Sequence, residues 1–438
     1  MSESLERFRE REQQLLCRTY SRYPLSVVRA KGARLWDADG REYVDLLAGI
    51  AVTGLGHCNE EIAEVIARQA RKLIHVSNLF YQEEQLDFAE KLLATSHAGK
   101  AFFCNSGAEA NEAAIKIARR YQQVVQGRNA WRVITLENCF HGRTMAALAA
   151  TGKHTEGFTP LPDGFSRVAW GDIDAMERAM TPDTAAVLVE MIQGEGGVFP
   201  LDPEYATALR DLCRERGVLF MADEVQAGMG RSGKFWAFQH YGVEPDVFTS
   251  AKSLANGLPL GAMMATDEVA QGFDHGSHAT TFGGGALVTA VGLRVLEIME
   301  RDGLVARAAE LGERARARFR EMGERLPGSV REVRGKGLLI GVELNLDEER
   351  CRKVWERLLE RGFVLNLAYG RTLRLLPPLN IDEADLENFA PTIDGTTEEW
   401  YAMDAEGWAK SAMTGKKLSF AFKGKIILLR FLHFCDLR

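Results

Sequence analysis

The sequence is short of several things, and each shortage excludes a class of protein. Its 438 residues hold only seven cysteines: Cys17, Cys58, Cys104, Cys139, Cys213, Cys351 and Cys435. The number is odd, the spacing wide, and no C-x-x-C occurs, which argues against a disulfide framework or structural zinc site and for a reducing compartment. Proline is scarce at 12 residues, and no low-complexity linker breaks the chain. Positive charge is not in excess: 54 Lys and Arg face 61 Asp and Glu, for a net charge of -7. A mildly acidic chain without a basic stripe is a poor partner for nucleic acid. No run approaches the roughly 20 apolar residues of a membrane span. The stretch Glu6-Arg7-Phe8-Arg9-Glu10-Arg11-Glu12 is charged where a signal peptide needs an apolar core. The expectation is a cytoplasmic protein with no bound metal and no membrane partner.

What is present is an ordinary globular composition, 46% hydrophobic and 26% charged, with 42 glycines. At about 150 residues per domain the length suggests roughly three domains. Short apolar runs alternate with segments of helical period. Strands are expected at Lys100–Cys104, Arg132–Leu136, 185–192, 217–222, 246–250 and 261–266, with helices at 106–121 and 205–215. That alternation indicates an α/β layer with a mostly parallel sheet. Beyond Gly285 a long helix towards Arg301, a charged helix at 307–325 and strands at 341–345 and 362–366 suggest a smaller α+β domain. A hairpin within 32–47, marked by Asp39-Gly40, is expected to join it. Residues 391–438 break from the rest: they are rich in aromatics, and from Lys410 onward seven Lys or Arg face one acid, Asp436.

The chemistry gathers at the ends of apolar strands. Val218-Leu219-Phe220-Met221-Ala222 runs into Asp223-Glu224, and Val247-Phe248-Thr249-Ser250-Ala251 into Lys252. Ligands bind outside the carboxyl ends of strands in open α/β sheets. A desolvated lysine there becomes a Schiff-base nucleophile, and an aspartate can hold a proton on a pyridine nitrogen. A buried Asp–Lys ion pair fits the same residues. Asn105-Ser106-Gly107-Ala108-Glu109 follows a strand and opens a helix, so its N–H groups suit a phosphate, while Ser106 and Glu109 also spell a capping box. In Phe140-His141-Gly142-Arg143 the ring can stack on a ligand and the arginine can clamp a carboxylate. Arg374 lies within the apolar run Leu373-Arg374-Leu375-Leu376, where a charge is paired or functional. Residues 228–233, Gly-Met-Gly-Arg-Ser-Gly, match G-x-G-x-x-G. No clear amphipathic helix follows, so a glycine-rich turn is the better reading, and a nicotinamide-dependent dehydrogenase stands as the alternative from another class.

Taken in order, Asn105 to Glu112, Phe140 to Thr144, Gln193-Gly194-Glu195-Gly196-Gly197, Asp223-Glu224-Val225-Gln226 and Ser250-Ala251-Lys252 resemble the class-III pyridoxal-phosphate-dependent aminotransferases. Gly49 to His57, Val333 to Gly341 and the Arg374 segment draw the resemblance towards the acetylornithine branch. It spans roughly residues 15–390. The chain departs from the pattern at Met191, Asn59, Gly285-Ala286 and Ser253 to Gly257, none of which removes a catalytic group.

The resemblance implies fold type I, the aspartate-aminotransferase-like α/β fold: a large cofactor domain with a mostly parallel sheet plus a smaller α+β domain. Its divisions would be a joining segment at 1–50, the cofactor domain at 51–295, the small domain at 296–390 and an atypical tail at 391–438. It implies pyridoxal 5'-phosphate (PLP), with Lys252 as the Schiff-base lysine and Asp223 on the pyridine nitrogen. Gln226 would meet the ring hydroxyl, Phe140 and Val225 the ring faces, and Ser106, Gly107 and Ala108 the phosphate. Glu224 belongs to the same cofactor-binding set, and Thr281 would reach the phosphate of a neighbouring subunit, implying a homodimer. Arg143, Glu195, Thr280 and Arg374 would be substrate-binding, with Glu195 pairing Arg374 for one substrate and releasing it for the other. The implied reaction moves the terminal amino group of N2-acetyl-L-ornithine to 2-oxoglutarate. Succinylornithine, ornithine or 4-aminobutyrate are the alternative donors.

Overall fold

The computed structural model describes residues 3–325 and 328–389, with the backbone of two short paired strands, Phe420–Phe422 and Lys425–Ile427. The atypical stretch 391–438 otherwise lies outside the described residues. A seven-stranded sheet forms the centre, in the order Lys100–Cys104, Gly261–Ala265, Val247–Ser250, Leu219–Asp223, Thr184–Val189, Arg132–Leu136 and Phe165–Val168. Gly261–Ala265 runs antiparallel to both neighbours, and all other pairs are parallel.

These strands are apolar along their length because both faces are covered. Every residue of Thr184–Val189 is buried. Alternation sorts the side chains: Ala186, Leu188, Leu219, Met221 and Met263 face one layer, where Ala113, Ala114 and Ile117 of the helix Gly107–Arg120 pack. Val187, Val189, Phe220, Ala222 and Met264 face the other, with Leu209 and Cys213 of the helix Pro203–Arg216. The helix Gly107–Arg120 starts at Ser106, whose Oγ accepts from the Glu109 N–H at 3.2 Å. Glu109 in turn accepts from the N–H of Asn105, one residue before the position a capping box uses.

A second, antiparallel sheet orders Val330–Lys336, Leu339–Leu344, Thr372–Leu375 and Asn366–Ala368. The N-terminal strands Val27–Lys31, Arg34–Asp37 and Glu42–Asp45 are antiparallel, and Glu42–Asp45 pairs in parallel with Phe363–Val364. The hairpin expected within 32–47 is thus stitched to the C-terminal part of the chain. A two-pronged ion pair from Arg34 to Asp385, 2.7 Å on each prong, reinforces the join.

Among the described strands, several escaped the sequence pattern. Phe165–Val168 is a four-residue edge strand carrying Ser166 and Arg167. Val330–Lys336 is an edge strand half made of charged residues. Thr372–Leu375 is buried throughout yet carries Arg374.

Candidate active site

The segments that follow four parallel strands converge at one end of the large sheet. Asn105, Phe140, Glu190 and Lys252 lie just past their strands, and Asp223 ends its own. With the loop at 257–260 they line a cavity of about 450 Å³. That volume lies within the roughly 300–1,000 Å³ of small-molecule sites.

Asp223 shares the strand parity of Leu219 and Met221, so it points to the helix Gly107–Arg120. There the Asn111 amide donates to its Oδ2 at 2.8 Å. His141 Nδ1 lies 2.8 Å from the same oxygen, and the Val225 N–H donates to Oδ1 at 3.0 Å. Asn111 is itself oriented by donating to the His141 carbonyl and accepting from Thr249 Oγ1, each at 2.8 Å. Burial works to raise the Asp223 carboxyl, but the bond and charge of His141, with the Val225 and Asn111 donors, hold it below the usual carboxylate range. Asp223 is therefore a buried, ionised acceptor. Glu190, beside it, takes N–H bonds from Phe140 at 3.0 Å and Gly194 at 3.4 Å, and burial pushes it up to about 7.

Lys252 opens a short 3-10 turn with φ of +45°, a left-handed conformation that costs a non-glycine residue energy. Burial pushes its ammonium down to about 8 from the usual 10.5, so the neutral amine is far easier to reach than for an exposed lysine. Across the cavity, the Gly107 and Ala108 N–H groups have no partner among the described residues, as expected for the first turn of a helix. A Cβ at Gly107 would come within 2.7 Å of Val225 Cγ1, so glycine lets the helix start approach that side chain. Phe140 stands on the same cavity wall, with the exposed Arg143 guanidinium 5.5 Å from its ring centroid.

Arg374 is 1% exposed, and its Nη1 donates to Glu195 Oε1 at 2.8 Å and Gln226 Oε1 at 3.2 Å. Its partner differs in kind: the Glu195 side chain is 40% exposed and is flanked by Gly194, Gly196 and Gly197. Burial works to raise Glu195, and Arg374 brings it below its ordinary value. Arg143 and Glu195 also line a second cavity of about 470 Å³ that continues outward past Asn366 and Tyr369.

Two expected residues stand apart. Glu224 is corrected: strand alternation turns it away from Asp223, and its carboxylate accepts the Ala237 and Phe238 N–H groups at 2.8 and 2.9 Å. It does not line the cavity. Thr281 is exposed on the surface beside Phe282, while its neighbour Thr280 accepts from the Asn105 amide at 3.2 Å. Residues 228–233 form a turn, closed by the Gly230 N–H donating to the Phe235 carbonyl, and the helix Gly107–Arg120 starts elsewhere. Sequence reasoning gave no role to Asn111, His141 or Glu190. The available signal was a polar Asn111 between the buried Ala110 and Ala113 of an otherwise apolar helix face.

The residues present fit PLP. Unpaired N–H donors suit its phosphate, a buried ionised aspartate suits a protonated pyridine nitrogen, and a desolvated lysine suits its aldehyde. Residues 16–396 match the family model described as "Aminotransferase class-III". The chain belongs to the class-III aminotransferase family. It is a PLP-dependent transferase of fold type I. The chain is 42% identical over 393 residues to the acetylornithine aminotransferase of Caldanaerobacter subterraneus subsp. tengcongensis, covering 89% of this chain and 98% of that one. Its fold is similar to the ornithine aminotransferase of Toxoplasma gondii, with TM-score 0.87, 32% identity, and 92% and 97% of the two chains covered. It is also similar to the acetylornithine aminotransferase of Elizabethkingia anophelis, with TM-score 0.81, 32% identity, and 90% and 99% covered.

Proposed function

We propose that this aminotransferase moves the terminal amino group of N2-acetyl-L-ornithine to 2-oxoglutarate, giving N-acetyl-L-glutamate 5-semialdehyde and L-glutamate, a step of arginine biosynthesis. The observation that carries the reading is the Arg374–Glu195 pair at 2.8 Å, one member locked and the other half-exposed. One pocket must take two differently charged substrates in turn. Glu195 neutralises Arg374 while the donor's uncharged end lies beside it, and turns away when the α-carboxylate of glutamate needs the guanidinium. Arg143 holds the other carboxylate in each half-reaction.

Bound PLP supplies an aldehyde to carry the amino group and an electron-withdrawing ring to stabilise the carbanion. The Gly107 and Ala108 N–H groups and Ser106 would anchor its phosphate, and Phe140 and Val225 would flank the ring, with Gln226 at its hydroxyl. Asp223, kept ionised by His141 and Asn111, would hold a proton on the ring nitrogen. Lys252, whose ammonium burial lowers to about 8, would act as the base that takes the proton from the donor carbon and hands it back. Asparagine, histidine and backbone donors around Asp223 are fixed before the reaction, so little reorganisation is needed when charge develops.

The site is completed by a second copy of the chain. Leu79, Phe80, Tyr81 and Phe282 are 85%, 65%, 100% and 67% exposed, and Asn78 bonds the Gly283 carbonyl at 3.0 Å, so they form one apolar patch around Thr281. A homodimer covers that patch and brings Thr281 to the partner's phosphate. The free, unpaired described cysteines support a cytoplasmic location.

The test is a donor screen with the PLP-loaded protein and 2-oxoglutarate as acceptor, reading glutamate. Acetylornithine should give the highest kcat/KM, and the yellow protein should be bleached by borohydride. Faster turnover of ornithine, succinylornithine or 4-aminobutyrate would reassign the donor.

A further inference from the structure

Arg374 has a third contact that the substrate exchange does not use. Its Nε donates to Asn366 Oδ1 at 3.1 Å, and Asn366 faces Arg374 directly across the paired strands Asn366–Ala368 and Thr372–Leu375. The Asn366 amide nitrogen in turn donates to the Tyr23 hydroxyl at 3.1 Å. Tyr23 arrives from the N-terminal segment and packs edge-on against Trp355, ring centroids 4.7 Å apart. The Trp355 indole N–H donates to the carbonyl of Leu365, next to Asn366, at 2.8 Å. Tyr23 thus selects which end of the Asn366 amide faces Arg374, and Trp355 holds both.

The partners of Arg374 sort by charge. Asn366 and Gln226 are neutral dipoles on well-packed backbone, and Glu195, the single carboxylate in contact with it among the described residues, is half-exposed and flanked by glycines. A neutral acceptor orients a guanidinium without cancelling its charge, whereas a fixed carboxylate would compete with any incoming one. We propose that Asn366 and Tyr23 are positioning residues that keep Arg374 aimed and electrostatically available for the acceptor's carboxylate after Glu195 turns away. This rests on the reading that Arg374 receives that carboxylate. Burial pushes the Tyr23 phenol up, so the hydroxyl stays neutral through the working pH range.

The test uses the PLP-loaded full chain and glutarate, a dicarboxylate that cannot react, alongside the two half-reactions measured separately. Asn366→Asp places a permanent carboxylate beside Arg374, so the Kd for glutarate and the KM for 2-oxoglutarate should each rise about tenfold or more. The acetylornithine half-reaction should slow by less than about threefold, because it does not call on a free Arg374. Tyr23→Phe should weaken glutarate binding in the same direction by about threefold. Equal losses in both half-reactions, or unchanged glutarate binding by Asn366→Asp, would overturn the proposal. Should Asn366→Asp fail to load PLP, Tyr23→Phe decides alone, and unchanged glutarate affinity overturns it. Failure of the underlying reading looks different: the wild-type enzyme itself would neither bind glutarate nor pass its amino group to 2-oxoglutarate.

Discussion

Lys252 and Arg374 are each a cation in a place that disfavours cations, and the two are handled differently. Burial holds Lys252 at about 8 against its ordinary 10.5. Between those values the unfolded chain binds a proton that the folded chain does not, so stability without cofactor rises with pH across that window. Below pH 8 both states are protonated and the buried ammonium costs its full amount, on the order of 3 kcal/mol. Without PLP, Lys252→Met should therefore melt above the wild type at pH 7, and the gap should close as pH approaches 10.5; a gap independent of pH would contradict the lowered value. With PLP and substrates, Lys252→Ala should lose turnover by about 10³-fold or more. Arg374 is instead held by close partners, Glu195, Gln226 and Asn366. Arg374→Ala should slow the glutamate half-reaction on the order of 10²-fold and the acetylornithine half far less. Single-turnover absorbance changes measure both, and equal losses would remove the exchange of partners. Both residues stood out in the sequence as charges at the end of, or within, apolar runs. Glu224 shows the limit of that reading: it neighbours Asp223 in sequence, but alternation sends it to the far side of the sheet.

Among the elements, the helix Gly107–Arg120 carries the most of the site. Its first turn presents unpaired N–H groups, and Asn111, one turn on, orients Asp223. Gly107→Ala would bring a Cβ within 2.7 Å of Val225 Cγ1 and push the first turn away from that side chain. We expect the Kd for PLP to rise about tenfold, read by absorbance titration, with far-ultraviolet circular dichroism unchanged. Unchanged affinity would mean that these N–H groups do not hold the phosphate. The helix was legible from Ser106, Glu109 and the apolar spacing. Its register against Asp223 was not, because which polar residue on an alanine-rich face meets a strand end depends on how deeply the helix docks. The edge strand Val330–Lys336 was illegible for a different reason: a strand with one protected face and a free edge tolerates charge, and it reads as loop.

For the whole molecule, the N-terminal hairpin and the strand Phe363–Val364 lie more than 300 residues apart in sequence and pair as neighbours. Tyr23 can reach Asn366 for the same reason. The exposed apolar patch around Thr281 makes a prediction at this scale. If each subunit completes the other's site, mixing Lys252→Ala with Thr281→Ala subunits forms heterodimers with one intact site and one doubly defective site. Random pairing then restores about a quarter of wild-type activity from two impaired parents. Recovery no greater than the average of the parents, with dimers present by ultracentrifugation, would place Thr281 outside the site.

The sequence by itself determined the layered α/β architecture, the strand-end positions of Asp223 and Lys252, and the family, because burial on two sheet faces and phosphate-binding turns leave local patterns. The tertiary structure alone decided which polar groups keep Asp223 ionised, that Glu224 faces away, and that Arg374 is held by neutral partners on one side and a half-exposed carboxylate on the other. Those facts depend on distances between segments far apart in the chain, and both the desolvation and the hydrogen-bond partners around these groups exist only once the segments have packed.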